Sequence, residues 1–126
     1  MIWFTSDPHY WHKNIAGPKV SVWKEGYRDF EDEKEMSQHI VKMFNKYVKY
    51  DDILYCLGDW NFADVNNCWN FRKQLECKEI HLIYGNHDHN IEINKPINIQ
   101  DEDLSRYAYF TNRDAFINPD GGKIVI

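Results

Sequence analysis

The chain has 126 residues, of which 43% are hydrophobic and 16% aromatic, and its formal net charge is −5. A chain of this length and composition buries a substantial core, which excludes a disordered protein, and the acidic balance without a dense basic run gives no strong nucleic-acid signal. There is no apolar run of the roughly 20 residues that a membrane span needs and no secretion signal, so we expect a single domain over residues 1–126 in the cytoplasm, without a membrane partner.

The predicted elements alternate between strands and helices. Residues 2–6 are predicted as a buried strand that Asp7-Pro8 ends, and an irregular aromatic loop follows over residues 10–29. Apolar residues at spacings of three and four predict a helix between the acidic residues 31–35 and Lys49. A strand over 52–57, a helix over about 63–76 and a strand over 79–84 follow, so the pattern predicts an α/β fold with a mainly parallel sheet flanked by helices.

The tail has a different pattern. Short apolar runs over 108–110, 115–118 and 123–126, with Pro119-Asp120-Gly121-Gly122 between the last two, predict short strands and a hairpin turn. The three cysteines, Cys56, Cys68 and Cys77, show no metal-type spacing, and we expect buried, reduced thiols.

Polar side chains follow all three predicted strands at the point where each ends. Asp7 and His9 follow the first, Asp59 follows the second, and Gly85-Asn86-His87-Asp88 follows the third. On an extended backbone, Asp7 and His9 would project to the same side. Each cluster alone is ordinary, but ligands bind outside the carboxyl ends of parallel strands, so the combination predicts one shared site.

The residue types in these clusters favour a metal site. Carboxylate, imidazole and amide ligands suit Mn, Fe or Zn better than Ca. Asp59 could bridge two cations, and Asn86 could add a neutral oxygen ligand. His87 is then better placed as a proton donor to a leaving oxygen than as a ligand, with Asp88 orienting its imidazole.

Asp7-x-His9, Gly58-Asp59 and Gly85-Asn86-His87-Asp88 resemble the first three motifs of the calcineurin-like metallophosphoesterases. The segment from Phe4 to Ile15 is similar to the corresponding segment of a phage and bacterial phosphoesterase subgroup of that superfamily. The resemblance implies a two-sheet sandwich flanked by helices and two bound metals. Asp7 and His9 would bind the first metal, Asp59 would bridge, Asn86 would bind the second, and His87 would assist the leaving group.

The pattern departs from the family after Asp88. The family has a later isolated His and a Gly-His-x-His motif, whereas His89 is the last histidine here. We therefore expect a C-terminally truncated domain with an incomplete second sheet, and a site that holds one ion or none. The exposed sheet would favour self-association or a complementing chain.

Two functions follow from this interpretation. The first is a metal-dependent phosphoesterase that hydrolyses a phosphate mono- or diester of a phosphorylated small molecule or nucleotide through a metal-bound hydroxide. The alternative is an inactive or split family member that binds a metal or a partner chain without turnover. His12, Lys13 and Asn14, in the loop near the site, are candidate substrate contacts, and Tyr10, Trp11 and Trp60 are candidate stacking surfaces for a base.

Overall fold

The computed structural model describes residues 1–62, 64–85 and 87–88 and the backbone of residues 109–111. The chain runs through strand β1 (Ile2–Thr5), a short helix α1 (Lys13–Ala16), helix α2 (Glu33–Tyr47), strand β2 (Ile53–Cys56), helix α3 (Val65–Gln74), strand β3 (Glu79–Ile83) and strand β4 (Tyr109–Thr111). This succession confirms the predicted α/β class. The predicted strands at 115–118 and 123–126 and the turn between them lie outside the described residues.

The four strands form one sheet in which every pairing is parallel, in the order β1-β2-β3-β4. Thr5 lies opposite Cys56, and Cys56 lies opposite Leu82, so the first three strands end at nearly the same level. That register brings the polar residues following β1, β2 and β3 to one edge of the sheet.

Each long helix begins at an aspartate that caps it. The Asp32 side chain accepts a hydrogen bond from the backbone N–H of Glu35 at the start of α2, and Asp64 accepts one from Asn66 at the start of α3. Both bonds satisfy amides that have no partner within the helix. Acidic residues at the start of α2 and Lys46 in its last turn also complement the helix dipole, as predicted.

The main core lies between one face of the sheet and the helices. Alternate strand residues, among them Leu54, Ile80 and Leu82, pack with Phe71 and Leu75 of α3 in this cluster, and partly buried residues of α2 pack against it. The three cysteines are free and buried, as predicted. Burial raises the pKa of the Cys68 thiol well above its usual range, which disfavours the reactive thiolate.

The opposite face of the sheet carries a smaller apolar cluster. Tyr55 and Ile83 are buried there, and Phe4 stacks on Tyr55 with ring centroids 5.3 Å apart while remaining 58% exposed. Ile2, at the start of β1, is 48% exposed. Among the residues that the structure describes, no helix has both the length and the apolar character needed to cross a bilayer.

Candidate metal centre

The site begins with the backbone that follows β1 and β2. Asp7, His9 and Asp59 have φ angles of 55°, 54° and 54°, in the left-handed region that non-glycine residues seldom adopt. The expectation that Asp7 and His9 share one side of an extended backbone is therefore wrong in its geometry, although their side chains do converge. Such residues cost on the order of 1–3 kcal/mol each and persist only where the surrounding structure holds them.

Hydrogen bonds between the two strand ends hold this backbone. The Asp7 N–H donates to the Gly58 carbonyl at 2.9 Å, and the His9 N–H donates to the Asp59 carbonyl at 3.0 Å. These bonds continue the pairing of β1 with β2 past the end of both strands. The two segments are thus fixed relative to each other before any ligand binds.

The three side chains place their donor atoms together. His9 Nε2 lies 3.6 Å from Asp7 Oδ1 and 3.7 Å from Asp59 Oδ2, and one donor atom from each residue lies within 4.8 Å of the other two. His9 and Asp59 are each 8% exposed, whereas Asp7 faces solvent. Two carboxylate oxygens and one imidazole nitrogen at this separation, open on one side, fit a first-row divalent cation.

The protonation states also suit a cation. Burial lowers the pKa of His9, and the Ser6 hydroxyl, which donates to Asp7 Oδ2 at 2.6 Å, lowers the pKa of Asp7. A neutral imidazole and an ionised carboxylate are the forms that bind metals. Near neutral pH, Asp7 and His9 therefore present lone pairs rather than protons.

Glycine is required where the ends of β2 and β3 meet. A Cβ atom on Gly85 would lie 2.3 Å from Asp59 Oδ1 and 2.7 Å from the Asp59 nitrogen. Gly58, with a φ of 117°, packs against Gly85, and a Cβ there would lie 3.1 Å from the Gly85 Cα. The absence of both side chains lets the Asp59 carboxylate reach the site.

Asp88 holds the backbone where the ends of β2 and β3 meet. It is fully buried, and its two oxygens accept hydrogen bonds from the backbone N–H groups of Asp59, Trp60 and Gly85 at 2.8, 2.9 and 2.7 Å. Burial raises its pKa, and these three bonds act in the opposite direction. The predicted role of Asp88 was to orient the His87 imidazole, but the structure shows it anchoring the backbone that carries Asp59.

Arg28 anchors the segment between Asp7 and His9. Its guanidinium donates to the carbonyls of Asp7 and Pro8, both at 2.8 Å, and its backbone N–H donates to the Ile15 carbonyl. The long loop thus folds back onto the residues that follow β1. Arg28 was not predicted as part of the site, because a lone arginine in an irregular loop carries no spacing signal.

Three histidine rings, those of His9, His12 and His87, lie together at the site. The His12 ring is 3% exposed, stacks on Phe62 with centroids 3.9 Å apart, and places its Nδ1 2.9 Å from His9 Nδ1. The exposed His87 ring lies 5.5 Å from the His9 ring and 5.2 Å from that of Phe62, and its backbone N–H donates to Asp59 Oδ1 at 3.0 Å. Burial, followed by the neighbouring His9 and His87, lowers the pKa of His12 to about 4.

The remaining predicted residues take several positions. Lys13 is exposed on α1, and the Asn14 side-chain oxygen accepts a hydrogen bond from the Val22 N–H, which holds the loop. Asn86, the predicted ligand of a second metal, lies outside the described residues. Tyr10 and Trp60 are buried in the core at 6% and 0% exposure, so they are not available to stack on a base.

The chain is similar to one curated archaeal protein over part of its length. The uncharacterized protein MJ1445 of Methanocaldococcus jannaschii is 36% identical over 89 residues, which cover 69% of this chain and 46% of the relative. The chain thus spans about half the length of the curated relative that it matches. No protein-family model matches the chain, and no solved structure matches it.

Proposed function

We propose that this protein is a calcineurin-like, metal-dependent phosphoesterase that cleaves a phosphate mono- or diester. The observation that carries the proposal is the convergence of Asp7, His9 and Asp59 at the carboxyl ends of β1 and β2. Sequence resemblance supports it, because the same three residues match the first two motifs of that superfamily. The buried, hydrogen-bonded backbone beneath them indicates a site built for ligands rather than an incidental acidic surface.

Asp7, His9 and Asp59 would hold a divalent cation, with Mn, Fe or Zn favoured by the mixed oxygen and nitrogen donors. By the resemblance, Asn86 would complete a second site and Asp59 would bridge. Such cations neutralise charge on the phosphoryl oxygens and lower the pKa of water. The Oδ1 atom of Asp59 accepts a hydrogen bond from the His87 N–H, and the Oδ2 atom faces His9, so Oδ2 is the oxygen that would bind a cation shared with His9.

His87 is proposed to donate a proton to the leaving oxygen. Its ring is exposed at the open side of the site, beside His9 and Phe62, and its backbone is tied to Asp59. A proton donor must reach the leaving group without being sequestered by the protein, and this position meets that requirement. The substrate is proposed to be a phosphorylated small molecule or a nucleotide.

We propose a two-sheet sandwich, and a second copy or a complementing chain as partner, from the two faces of the described sheet. The described sheet has helices on one face and a partly exposed apolar cluster on the other, an arrangement that suits a sandwich with a second sheet. Self-association, or docking of a complementing chain, would cover Ile2 and Phe4. We also propose a cytoplasmic location.

The first test measures cation binding. Isothermal titration with Mn²⁺ should show binding to the wild-type protein, and Asp59→Asn should weaken it by at least about tenfold because a neutral amide replaces a buried anionic ligand. The matched control is Asp51→Asn, which changes an exposed aspartate close in sequence to β2. Equal binding by wild type and Asp59→Asn would contradict the proposed site.

The second test measures hydrolysis of p-nitrophenyl phosphate and bis(p-nitrophenyl) phosphate with Mn²⁺. With an alkyl phosphate ester, whose leaving oxygen needs a proton, His87→Ala should lower kcat by about 100-fold or more. The p-nitrophenyl esters release a stabilised anion, so kcat for them should fall much less, and Mn²⁺ affinity should not change. His39→Ala, at another exposed histidine, should leave both unchanged. Mn²⁺ binding without hydrolysis of either ester would refute the enzyme and favour the alternative, a metal-binding family member that does not turn over alone.

A further inference from the structure

His12 stands at the position that would cap helix α1, but its side chain has different partners. It precedes the first turn of α1, yet its side chain makes no capping hydrogen bond to that helix. The imidazole instead stacks on Phe62 at an interplanar angle of 7° and makes a T-shaped contact with Trp23, with ring centroids 5.6 Å apart. At 3% exposure it is poorly placed for the substrate contact that the sequence predicts.

The polar atom that His12 presents is aimed at His9. Its Nδ1 lies 2.9 Å from His9 Nδ1, inside hydrogen-bonding distance, while His9 Nε2 faces the two carboxylates from the other side of the ring. A neutral imidazole has one N–H and one lone pair. If Nε2 is to present its lone pair to a cation, the proton of His9 must be on Nδ1, where only an acceptor can receive it.

We propose that His12 is a positioning residue whose Nδ1 accepts a hydrogen bond from His9 Nδ1–H, which fixes the His9 ring and holds the tautomer that leaves Nε2 free for a cation. This inference rests on the proposed function in that it assumes a cation at His9. Metal-binding histidines commonly donate their second N–H to a carboxylate or a backbone carbonyl. Here a second histidine takes that place, and its own proton must then be on Nε2.

Two substitutions separate this role from packing. His12→Phe keeps the ring that stacks on Phe62 but removes the acceptor. His12→Asn loses the ring but retains a side-chain oxygen near the position of Nδ1. A residue needed only for packing tolerates Phe better than Asn, whereas the proposed role reverses that order.

Three measurements on wild type, both variants and a His39→Phe control give the answer. Thermal unfolding reports packing, isothermal titration reports Mn²⁺ affinity, and long-range proton–nitrogen correlation NMR of the metal-free protein reports the His9 tautomer. We expect His9 to carry its proton on Nδ1 in wild type and His12→Asn, and a tautomer mixture in His12→Phe. His12→Phe should weaken Mn²⁺ binding by about 10-fold or more, and His12→Asn by clearly less.

The outcomes for the inference and for the proposed function are distinct. Wild-type protein with its His9 proton on Nε2 in the metal-free state, or His12→Phe with unchanged tautomer and affinity, would overturn the inference while leaving the metal site intact. Failure of wild type to bind Mn²⁺ would instead refute the proposed function, and the tautomer would still decide the hydrogen bond. If His12→Phe does not fold, the wild-type and His12→Asn spectra decide it.

Discussion

The contact between Gly85 and Asp59 makes the most specific prediction about the site. In Gly85→Ala, the new methyl carbon would meet Asp59 Oδ1 at 2.3 Å, roughly 1 Å inside ordinary van der Waals contact at about 3.5 Å. The Asp59 nitrogen, at 2.7 Å, is also too close and is part of the backbone held by Asp88. Relief therefore requires the carboxylate or the strand end to move by about 1 Å.

The expected effects follow from that displacement. Overpacking costs about 1–3 kcal/mol, and the lower entropy of the unfolded chain with alanine returns about 0.4–1 kcal/mol, so the free energy of unfolding should fall by up to about 2.5 kcal/mol. Because a donor atom moves away from His9 and Asp7, Mn²⁺ affinity should fall by at least about tenfold. Urea unfolding measures the first quantity and isothermal titration the second.

Gly26→Ala is the matched control. Gly26 has a positive φ, 84°, and no atom lies within 4 Å of the position its Cβ would take. Alanine there should cost about 1 kcal/mol through backbone strain alone, with Mn²⁺ affinity unchanged. A folded Gly85→Ala protein with wild-type affinity, or equal loss of affinity in both variants, would refute the reasoning.

Three further substitutions test the supports of the site and of β1. Asp88→Ala leaves two buried N–H groups and one partly buried N–H group without their acceptor. It should destabilise the protein by about 3 kcal/mol or more in urea unfolding, because each unsatisfied group costs about 1–3 kcal/mol. A loss of hydrolysis at unchanged stability would restore the predicted catalytic role. Arg28→Met removes two charge-assisted hydrogen bonds to backbone carbonyls, so it should lower the free energy of unfolding by about 2–4 kcal/mol and weaken Mn²⁺ binding. Unchanged Mn²⁺ affinity would show that the loop holds Asp7 without Arg28. The N-terminal ammonium, the Lys49 N–H and the Trp3 indole lower the pKa of Asp52 from 3.8 to about 2, so its stabilisation is complete above pH 3.8 and is lost as the pH falls towards 2. The urea midpoints of wild type and Asp52→Asn should therefore differ at neutral pH and converge near pH 2, and a constant difference would contradict this assignment.

The strands were predictable to within one or two residues because each is a short apolar run ended by a strong local signal, Asp-Pro after β1 and glycine after β2 and β3. Since parallel strands end at one edge of a sheet, the meeting of Asp7, His9 and Asp59 followed from chain order alone. The left-handed backbone at these residues did not follow, because it depends on hydrogen bonds from a segment about 50 residues away in sequence.

The roles of individual side chains were less predictable. Asp88 follows His87 directly, which suggested a partnership between the two, yet its buried oxygens bind amides at the end of β2. Tyr10 and Trp60 adjoin predicted ligands, but their rings turn into the core, and local sequence does not specify the direction of a large aromatic ring beside a turn. Burial and partners of this kind are tertiary properties, which residue spacing does not encode.

The left-handed backbone at the three donor residues has a consequence for how this chain tolerates change. Asparagine and glycine adopt that conformation more readily than aspartate or histidine do, so replacing a donor relieves strain and also removes one member of a crowded polar cluster. Selection for stability alone would therefore tend to erase the cluster. A cluster whose removal would relieve backbone strain fits the trade-off between stability and activity that functional sites show.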